Sequence, residues 1–162
     1  MNYISLDEYT KAWVFRHQEL LIPADSLALI KPMTPTRSAV LWSTFISRDK
    51  DHPDFFTDSD WVNQADYFAQ EDVFWEQAFE AEQPIPEDIL AHLDWQDNTT
   101  VYFCLSRDDV IETRFDVFKK HWQNFMFLAD GSFLVGKKRK QVVQFLATGF
   151  ARLGTQPESG KL

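Results

Sequence analysis

Cysteine, glycine and long apolar stretches are scarce in this 162-residue chain, and each scarcity excludes a class of protein. Cys104 is the single cysteine, so neither an intramolecular disulfide nor a multi-cysteine zinc site can form, and nothing requires an oxidising compartment. No apolar run approaches the roughly 20 residues that a membrane-spanning helix needs. Residues 1–20 carry Asp7, Glu8 and Glu19 rather than a basic and apolar leader. We therefore expect a cytoplasmic protein that does not enter a membrane.

Basic side chains are also few. The chain has 16 Lys and Arg against 25 Asp and Glu, and this net charge of -9 disfavours general binding to nucleic acid. The deficit is concentrated, because residues 49–98 hold 1 basic and 15 acidic side chains. No Gly/Ser-rich linker or repeat separates this segment from its neighbours. We predict one domain over residues 1–154, followed by a disordered tail over residues 155–162.

The usual signatures of catalysis and metal binding are missing. Residues 131–138 approach the spacing of a phosphate-binding loop, but Lys138 replaces the Ser or Thr that would hold magnesium. The acidic loop at 49–60 has Pro53 where an EF-hand loop needs a ligand. The four histidines lie far apart in the chain, without metal-ligand spacing. We predict no metal site and no cofactor, and we favour a protein that is not an enzyme.

Local patterns in the first two thirds of the chain predict alternating helices and strands. Ser5 and Glu8 form a capping box at the start of a helix. Val101, Phe103 and Leu105 alternate with Tyr102 and Cys104 as in a strand. We predict helices over residues 6–16, 71–82 and 86–93, a strand over 38–47 that carries Trp42, a loop over 49–60, and a strand over 99–105.

The last third predicts a helix, a hairpin and a second helix. Thr113 is expected to cap a helix whose buried stripe comprises Phe115, Phe118, Trp122 and Phe125. Residues 125–128 and 133–135 flank an Asp-Gly turn, which is typical of a β-hairpin. A final helix over 139–153 would bury Val142, Leu146, Phe150 and Leu153, with Gly154 as its cap.

Together these elements predict an α+β fold. We expect an antiparallel or mixed sheet packed against several helices, with a C-terminal helix-hairpin-helix unit. The predicted core contains Val101, Phe103, Phe115, Phe118, Trp122, Phe133, Leu146 and Phe150.

One group of residues in the last third carries a resemblance to a known family. The residues are Val110, Ile111, Glu112, Thr113, Phe118, Lys119, Trp122, Phe125, Asp130 and Gly131, together with the stretch at 145–154. This pattern resembles the C-terminal part of a small family of bacterial proteins known only as a domain of unknown function. The resemblance implies a compact bacterial domain, and it supplies neither an activity nor catalytic residues.

The acidic segment contains the first candidate site. Aromatic content is high, with 15 Phe, 6 Trp and 4 Tyr, so some rings should lie at a surface or a pocket wall. Acidic side chains around aromatic anchors suit a basic protein partner, because the charges steer and the rings bind. We therefore predict a non-catalytic interaction protein, of the kind that neutralises a basic toxin. Its binding residues, termed the acidic-aromatic face, are Asp54, Phe55, Phe56, Asp58, Asp60, Trp61, Asp66 and Phe68.

The alternative is a small enzyme or a small-molecule domain with an aromatic-lined pocket. Glu112 precedes a predicted helix, and Asp108 and His121 could share a pocket with it. Four cations also stand just before the predicted last helix, where helix N–H groups could hold a phosphate or sulfate. This candidate anion site comprises Lys137, Lys138, Arg139 and Lys140.

Overall fold

The computed structural model describes residues 1–158 and contains one seven-stranded antiparallel sheet. Its strands are β1 (Lys31–Pro32), β2 (Val73–Phe74), β3 (Thr100–Ser106), β4 (Asp109–Arg114), β5 (Ser132–Gly136), β6 (Gln141–Phe145) and β7 (Phe150–Thr155). The α-helices are α1 (Ala24–Leu27), α2 (Pro35–Phe45), α3 (Glu76–Glu80), α4 (Glu87–Leu93), α5 (Phe115–Lys120) and α6 (Trp122–Met126). The α+β prediction is confirmed. None of the helices within residues 1–158 is both long enough and apolar enough to cross a bilayer.

Strand order places β3 and β5 at the centre, in the series β1-β4-β3-β5-β6-β7-β2. Alternation along β3 sends Val101 and Phe103 to one face and Tyr102 and Cys104 to the other, as predicted, and all four are buried. The sheet therefore has two buried faces, and we call the apolar layers on them the first core and the second core. Both must be covered by the rest of the chain.

The first core lies beneath helices α4, α5 and α6. The predicted stripe of Phe115, Phe118, Trp122 and Phe125 is buried here. Phe118 and Phe125 pack with ring centroids 5.0 Å apart. The stripe is not one continuous helix, because the chain breaks at His121 between α5 and α6. The predicted helix over 86–93 is confirmed as α4.

The second core is covered by α2, where a strand over 38–47 had been predicted. Thr34 accepts a hydrogen bond from the backbone N–H of Arg37, and Pro35 is the first helical residue, which is a strong helix start. Ser38, Leu41 and Trp42 then follow helical spacing and are buried. The helix cap and the helical spacing of the buried residues outweigh the β-favouring composition, so the predicted strand over 38–47 was wrong.

The predicted final helix over 139–153 is also wrong, because β6 and β7 form a hairpin in its place. Gly149 has φ +94°, which suits the turn and would be strained for other residues. Gly154 lies inside β7, where Phe68 covers it. Leu146 is only partly buried and Phe150 is 39% exposed, so neither belongs to the core.

Four other predicted features differ from the structure. Residues 125–128 form no hairpin strand, because α6 runs to Met126 and β5 pairs instead with β3 and β6. Thr113 lies within β4 and caps nothing. The predicted helix over 6–16 is a series of turns with one 3-10 helix at Ala12–Phe15, and the one over 71–82 divides into β2 and α3.

The tail predicted for 155–162 begins inside the sheet. Thr155 is the last residue of β7, and the N–H of Gln156 donates to the carbonyl of Lys140 at 2.9 Å. Residues 159–162 lie outside the described residues.

Arg107, in the turn between β3 and β4, holds the C-terminal end of α2 and the loop after it. Its guanidinium donates to the Ser43 hydroxyl, to the Asp51 carboxylate, and to the carbonyls of Ser47, Arg48 and Lys50. These carbonyls accept no hydrogen bond from a neighbouring strand. The Arg107 side chain supplies the donors that a strand would otherwise provide.

Five of the six tryptophans have a similar role. Each is buried, and each indole N–H donates to an oxygen of a distant segment. The pairs are Trp42 with Lys50 O, Trp61 with Ile46 O, Trp75 with Phe150 O, Trp95 with Gln141 Oε1, and Trp122 with Gln83 O. The rings fill the cores while their N–H groups join separate segments. Three acceptors lie in loops or at the end of α2, and two lie at the starts of β7 and β6.

Core membership predicts how two aromatic substitutions differ. Trp122→Ala removes a fully buried ring and should lower the free energy of unfolding by about 3–5 kcal/mol. Phe150→Ala removes a partly exposed ring and should cost less than half as much. Urea unfolding followed by circular dichroism measures both, and equal losses would contradict the assignment of Phe150 to the periphery.

Candidate functional site

Trp13 is the exception among the tryptophans. It is 57% exposed, and its indole makes no hydrogen bond within the described part of the chain. Its ring packs on Phe127, itself 37% exposed, with centroids 5.7 Å apart. Two bulky rings that face solvent together are a feature of binding surfaces.

A cleft of about 230 Å³ lies beside Phe127, and we call it the glutamate cleft. The His17 ring stacks on Phe127, with centroids 5.4 Å apart and an interplanar angle of 13°. Phe79 meets Phe127 edge-on at 5.6 Å. The lining residues are His17, Glu19, Leu20, Phe79, Glu80, Glu82, Gln123 and Phe127. Three carboxylates therefore surround an aromatic slot.

Helix α3 and the turn after it place two of these carboxylates. Phe79 points to the first core, so Glu80 lies on its exposed side. Glu82 has φ 54°, and the N–H of Gln83 donates to the carbonyl of Ala78, which closes the helix. A side chain in this left-handed conformation costs roughly 1 kcal/mol relative to glycine. Glu82 therefore occupies this position at a cost in stability.

A second cleft, of about 270 Å³, adjoins the first across Phe127, and we call it the lysine cleft. Its lining residues are Lys11, His52, Leu105, Ser106, Phe127, Leu128, Asp130 and Ser132. Lys11 forms an ion pair with Asp109, which also accepts a hydrogen bond from Tyr9 at 2.8 Å. Burial, followed by the charge of Asp109, raises the pKa of the Tyr9 hydroxyl, so Tyr9 stays neutral.

The acidic-aromatic face divides into a buried part and an exposed part. Trp61 is buried and stacks on Phe68 at 5.8 Å, and Phe56 stacks on Trp42 at 6.2 Å. The Arg152 guanidinium lies 3.8 Å above Phe68. These three rings belong to or pack against the second core. Phe55 is 60% exposed, and Asp54, Asp58 and Asp66 face solvent beside these rings.

Asp60 has a structural role. Its carboxylate accepts hydrogen bonds from Lys50 at 2.8 Å and from the backbone N–H of Thr57 at 2.7 Å. Desolvation acts to raise the pKa of Asp60, but these hydrogen bonds outweigh it and hold that pKa below its usual value. Asp60 therefore fastens the loop. Among the described residues, no group of three or more His, Cys, Asp and Glu could hold a metal ion.

The three residues of the predicted pocket lie apart. Asp108 is exposed in the β3–β4 turn. Glu112 faces the second core side of β4 and accepts a hydrogen bond from the Tyr3 hydroxyl at 2.9 Å, where burial is the main cause that raises the pKa of Tyr3 to about 12. His121 is buried with α5 and α6 on the opposite face, and desolvation lowers its pKa. The structure does not bring them together.

The predicted anion site lies in a turn. Lys137 to Lys140 connect β5 to β6, with Lys138 at φ 59° and the N–H of Arg139 bonded to the carbonyl of Gly136. A strand follows these cations, so they lack the helix N–H groups on which the prediction rested. Anion binding by Lys137, Lys138, Arg139 and Lys140 stays a prediction.

Sequence reasoning missed Trp13, Phe127 and the clefts beside them. A signal was present at Phe127, which stands two residues after Phe125. Residues two apart on a helix face different sides, so Phe127 could not share the buried stripe. Trp13 gave less warning, because its helical spacing with Tyr9 and Ala12 is equally typical of a buried row.

The match to a protein family extends over the residues of the sheet and of both clefts. A family model described as a protein of unknown function, DUF2947, matches residues 3–154. The chain belongs to this family. The match confirms the resemblance to an uncharacterised family, and its extent shows that confining the resemblance to the last third was too narrow. No curated protein and no solved structure matched the chain.

The role of Asp60 predicts a pH dependence. A lowered carboxyl pKa stabilises the folded state above the ordinary value of about 3.9, and the gain is lost as the pH falls through the folded-state pKa. Asp60→Asn should therefore lower the unfolding midpoint at pH 7, and its difference from the parent should shrink as the pH falls below about 3.9. Denaturant titrations from pH 7 to pH 3 measure this. Asp58→Asn, which changes an exposed neighbour, is the control and should leave the pH 7 midpoint unchanged.

Proposed function

We propose that this protein is a non-catalytic interaction protein that binds a basic protein partner. The observation that best supports this proposal is the exposed pair of Trp13 and Phe127 beside a cleft lined by three glutamates. Bulky rings provide binding energy once water is excluded, and the carboxylates set the sign of the partner. The tryptophan without a structural hydrogen bond is the one at this surface.

The binding surface extends towards Phe55. His52 lines the lysine cleft and contacts the Phe55 ring edge-on at 6.0 Å. Phe55, the lysine cleft, Phe127, Trp13 and the glutamate cleft therefore follow one another, and we call this strip the docking surface. It retains Phe55 from the acidic-aromatic face, with Asp54 exposed beside it. Trp61 is buried in the second core and Phe68 packs against it, so neither is part of the docking surface.

Within the described residues, the charge of the glutamate cleft is unneutralised, whereas Lys11 of the lysine cleft is paired with Asp109. Within residues 1–158, Glu19, Glu80 and Glu82 form no ion pair, and no Lys or Arg lines the glutamate cleft. Uncompensated charge of one sign raises the rate of encounter with a partner of opposite sign. An immunity-like protein that neutralises a basic toxin would use such a surface.

The alternative, an enzyme or small-molecule domain, receives less support. Asp108, Glu112 and His121 do not share a pocket. The Cys104 thiol is completely buried, and desolvation raises its pKa, so it is held as an inert thiol.

A capture experiment tests the proposal. We expect the immobilised protein to retain a protein of high isoelectric point at about 50 mM salt and to release most of it at about 300 mM, because screening weakens charge-steered binding. Trp13→Ala and Phe55→Ala should each weaken the affinity about tenfold or more, as loss of an aromatic anchor does. Quantitative mass spectrometry and then titration with the purified partner measure this.

The control is Val40→Ala, which changes an exposed apolar residue on α2, outside the docking surface. It should leave both capture and melting temperature unchanged. A partner that is acidic, or one that binds Trp13→Ala and Phe55→Ala as tightly as the parent, would contradict the proposal.

A further inference from the structure

The glutamate cleft has the form of a slot for a planar group. His17 and Phe127 are nearly parallel, and Phe79 stands almost perpendicular to Phe127 at 85°. His17 stacks on one face of Phe127, and both rings line the open volume together with Phe79. The walls are therefore aromatic and flat, and the space of about 230 Å³ suits the end of one side chain.

The carboxylates of the cleft come from two separate segments. Glu19 belongs to the turn after the 3-10 helix Ala12–Phe15, while Glu80 and Glu82 belong to the end of α3. Acidic groups from two segments therefore line the aromatic slot. Gln123 on α6 adds an amide that donates to Gln83 O at 3.3 Å, so one wall is neutral and polar.

A guanidinium fits these features better than an ammonium. It is planar and weakly hydrated, it stacks on aromatic faces, and its fixed fork of N–H donors matches carboxylates at more than one side. An ammonium is a compact and strongly hydrated charge that gains little from a flat slot. A neutral planar group would leave three carboxylates uncompensated.

Glu82 strengthens this assignment. Its left-handed backbone is a position where glycine is the ordinary residue, so this carboxylate is not required by the turn. The aromatic slot and the three carboxylates that line it, with no lysine or arginine among the lining residues, together indicate what the cleft can bind. We propose that the glutamate cleft binds the guanidinium of an arginine side chain of the basic partner. This inference rests on the proposed function.

Three small probes separate charge from shape. N-acetyl-arginine amide carries the guanidinium, N-acetyl-citrulline amide has the same planar shape without charge, and N-acetyl-lysine amide has the charge without the plane. We expect saturable NMR shifts of the Gln123 side-chain amide and of the Phe79 and Glu82 backbone amides with the arginine probe. The lysine probe should bind at least about threefold more weakly, and the citrulline probe should not saturate.

A pair of charge-matched variants tests the role of Glu82. Glu82→Gly relieves the left-handed backbone, so it should raise the melting temperature while it weakens binding of the arginine probe about threefold or more. Glu87→Gln removes one carboxylate from α4, outside the cleft, and should change neither. Loss of binding in a variant that melts higher than the parent cannot arise from unfolding.

Equal binding of the arginine and citrulline probes, or unchanged binding by Glu82→Gly, would overturn the inference. Failure of the proposed function is distinguishable from this. If the arginine probe does not bind but partner capture still depends on Trp13 and Phe55, the docking surface stands and only the arginine assignment falls. If the probe binds but capture is indifferent to those residues, the proposed function falls and the cleft assignment stands.

Discussion

Burial of the central strands on both faces is the constraint on which the rest of the structure depends. Strands β3 and β5 have no solvent-facing side, so each face needs a cover that also satisfies the carbonyls of the covering loops. The longest helix, α2, has only 11 residues, so regular elements cannot complete either layer. Aromatic rings complete them, and their indole N–H groups serve the loop carbonyls.

The two roles of the aromatic rings, filling the cores and hydrogen-bonding to separate segments, explain why the aromatic content is so high. Trp42 and Trp61 fill the second core and donate to Lys50 and Ile46, which lie in and just before the loop at residues 49–60. Asp60 and Arg107 hold Lys50 and Asp51 of the same loop. Most rings in the acidic segment are therefore required by the fold. A ring that the fold does not need is exposed and makes no hydrogen bond. Within the described residues, Trp13 meets both criteria.

The sequence predicted the elements whose signals agree with one another. Alternation in β3, the Pro86 start of α4 and the stripe from Phe115 to Phe125 all appear in the structure. Predictions failed where two signals conflict. Residues 141–145 fit a helical row through Val142 and Leu146, but Gly149 closes a hairpin and adds two strands to the sheet. Strand β7 also pairs with β2, which lies far away in the chain, and local spacing does not report that pairing.

The candidate site was less predictable than the fold, for a related reason. The acidic segment was correctly seen as unusual, but charge along the chain does not say which nearby rings are covered. Asp60 and Trp61 are adjacent in sequence to the exposed residues, yet Trp61 is buried in the second core and Asp60 is half-buried in an ion pair with Lys50. Trp13 and Phe127 are more than a hundred residues apart, and only the contact of α6 with the 3-10 helix at Ala12–Phe15 brings them together.

The two clefts on either side of Phe127 differ in a way that bears on how a partner segment lies across them. The glutamate cleft is lined by three carboxylates without a lysine or arginine, whereas the lysine cleft contains Lys11, His52 and Asp130. A segment that crosses Phe127 in one direction places its cation among carboxylates. The reverse direction places that cation beside Lys11, which like-charge repulsion disfavours. Lys11 is held by Asp109, which also accepts a hydrogen bond from Tyr9, so it cannot swing away without breaking a half-buried ion pair. Phe127 therefore provides the common wall between two clefts of different charge, and under the proposed function we expect the cation of a basic segment to enter the glutamate cleft.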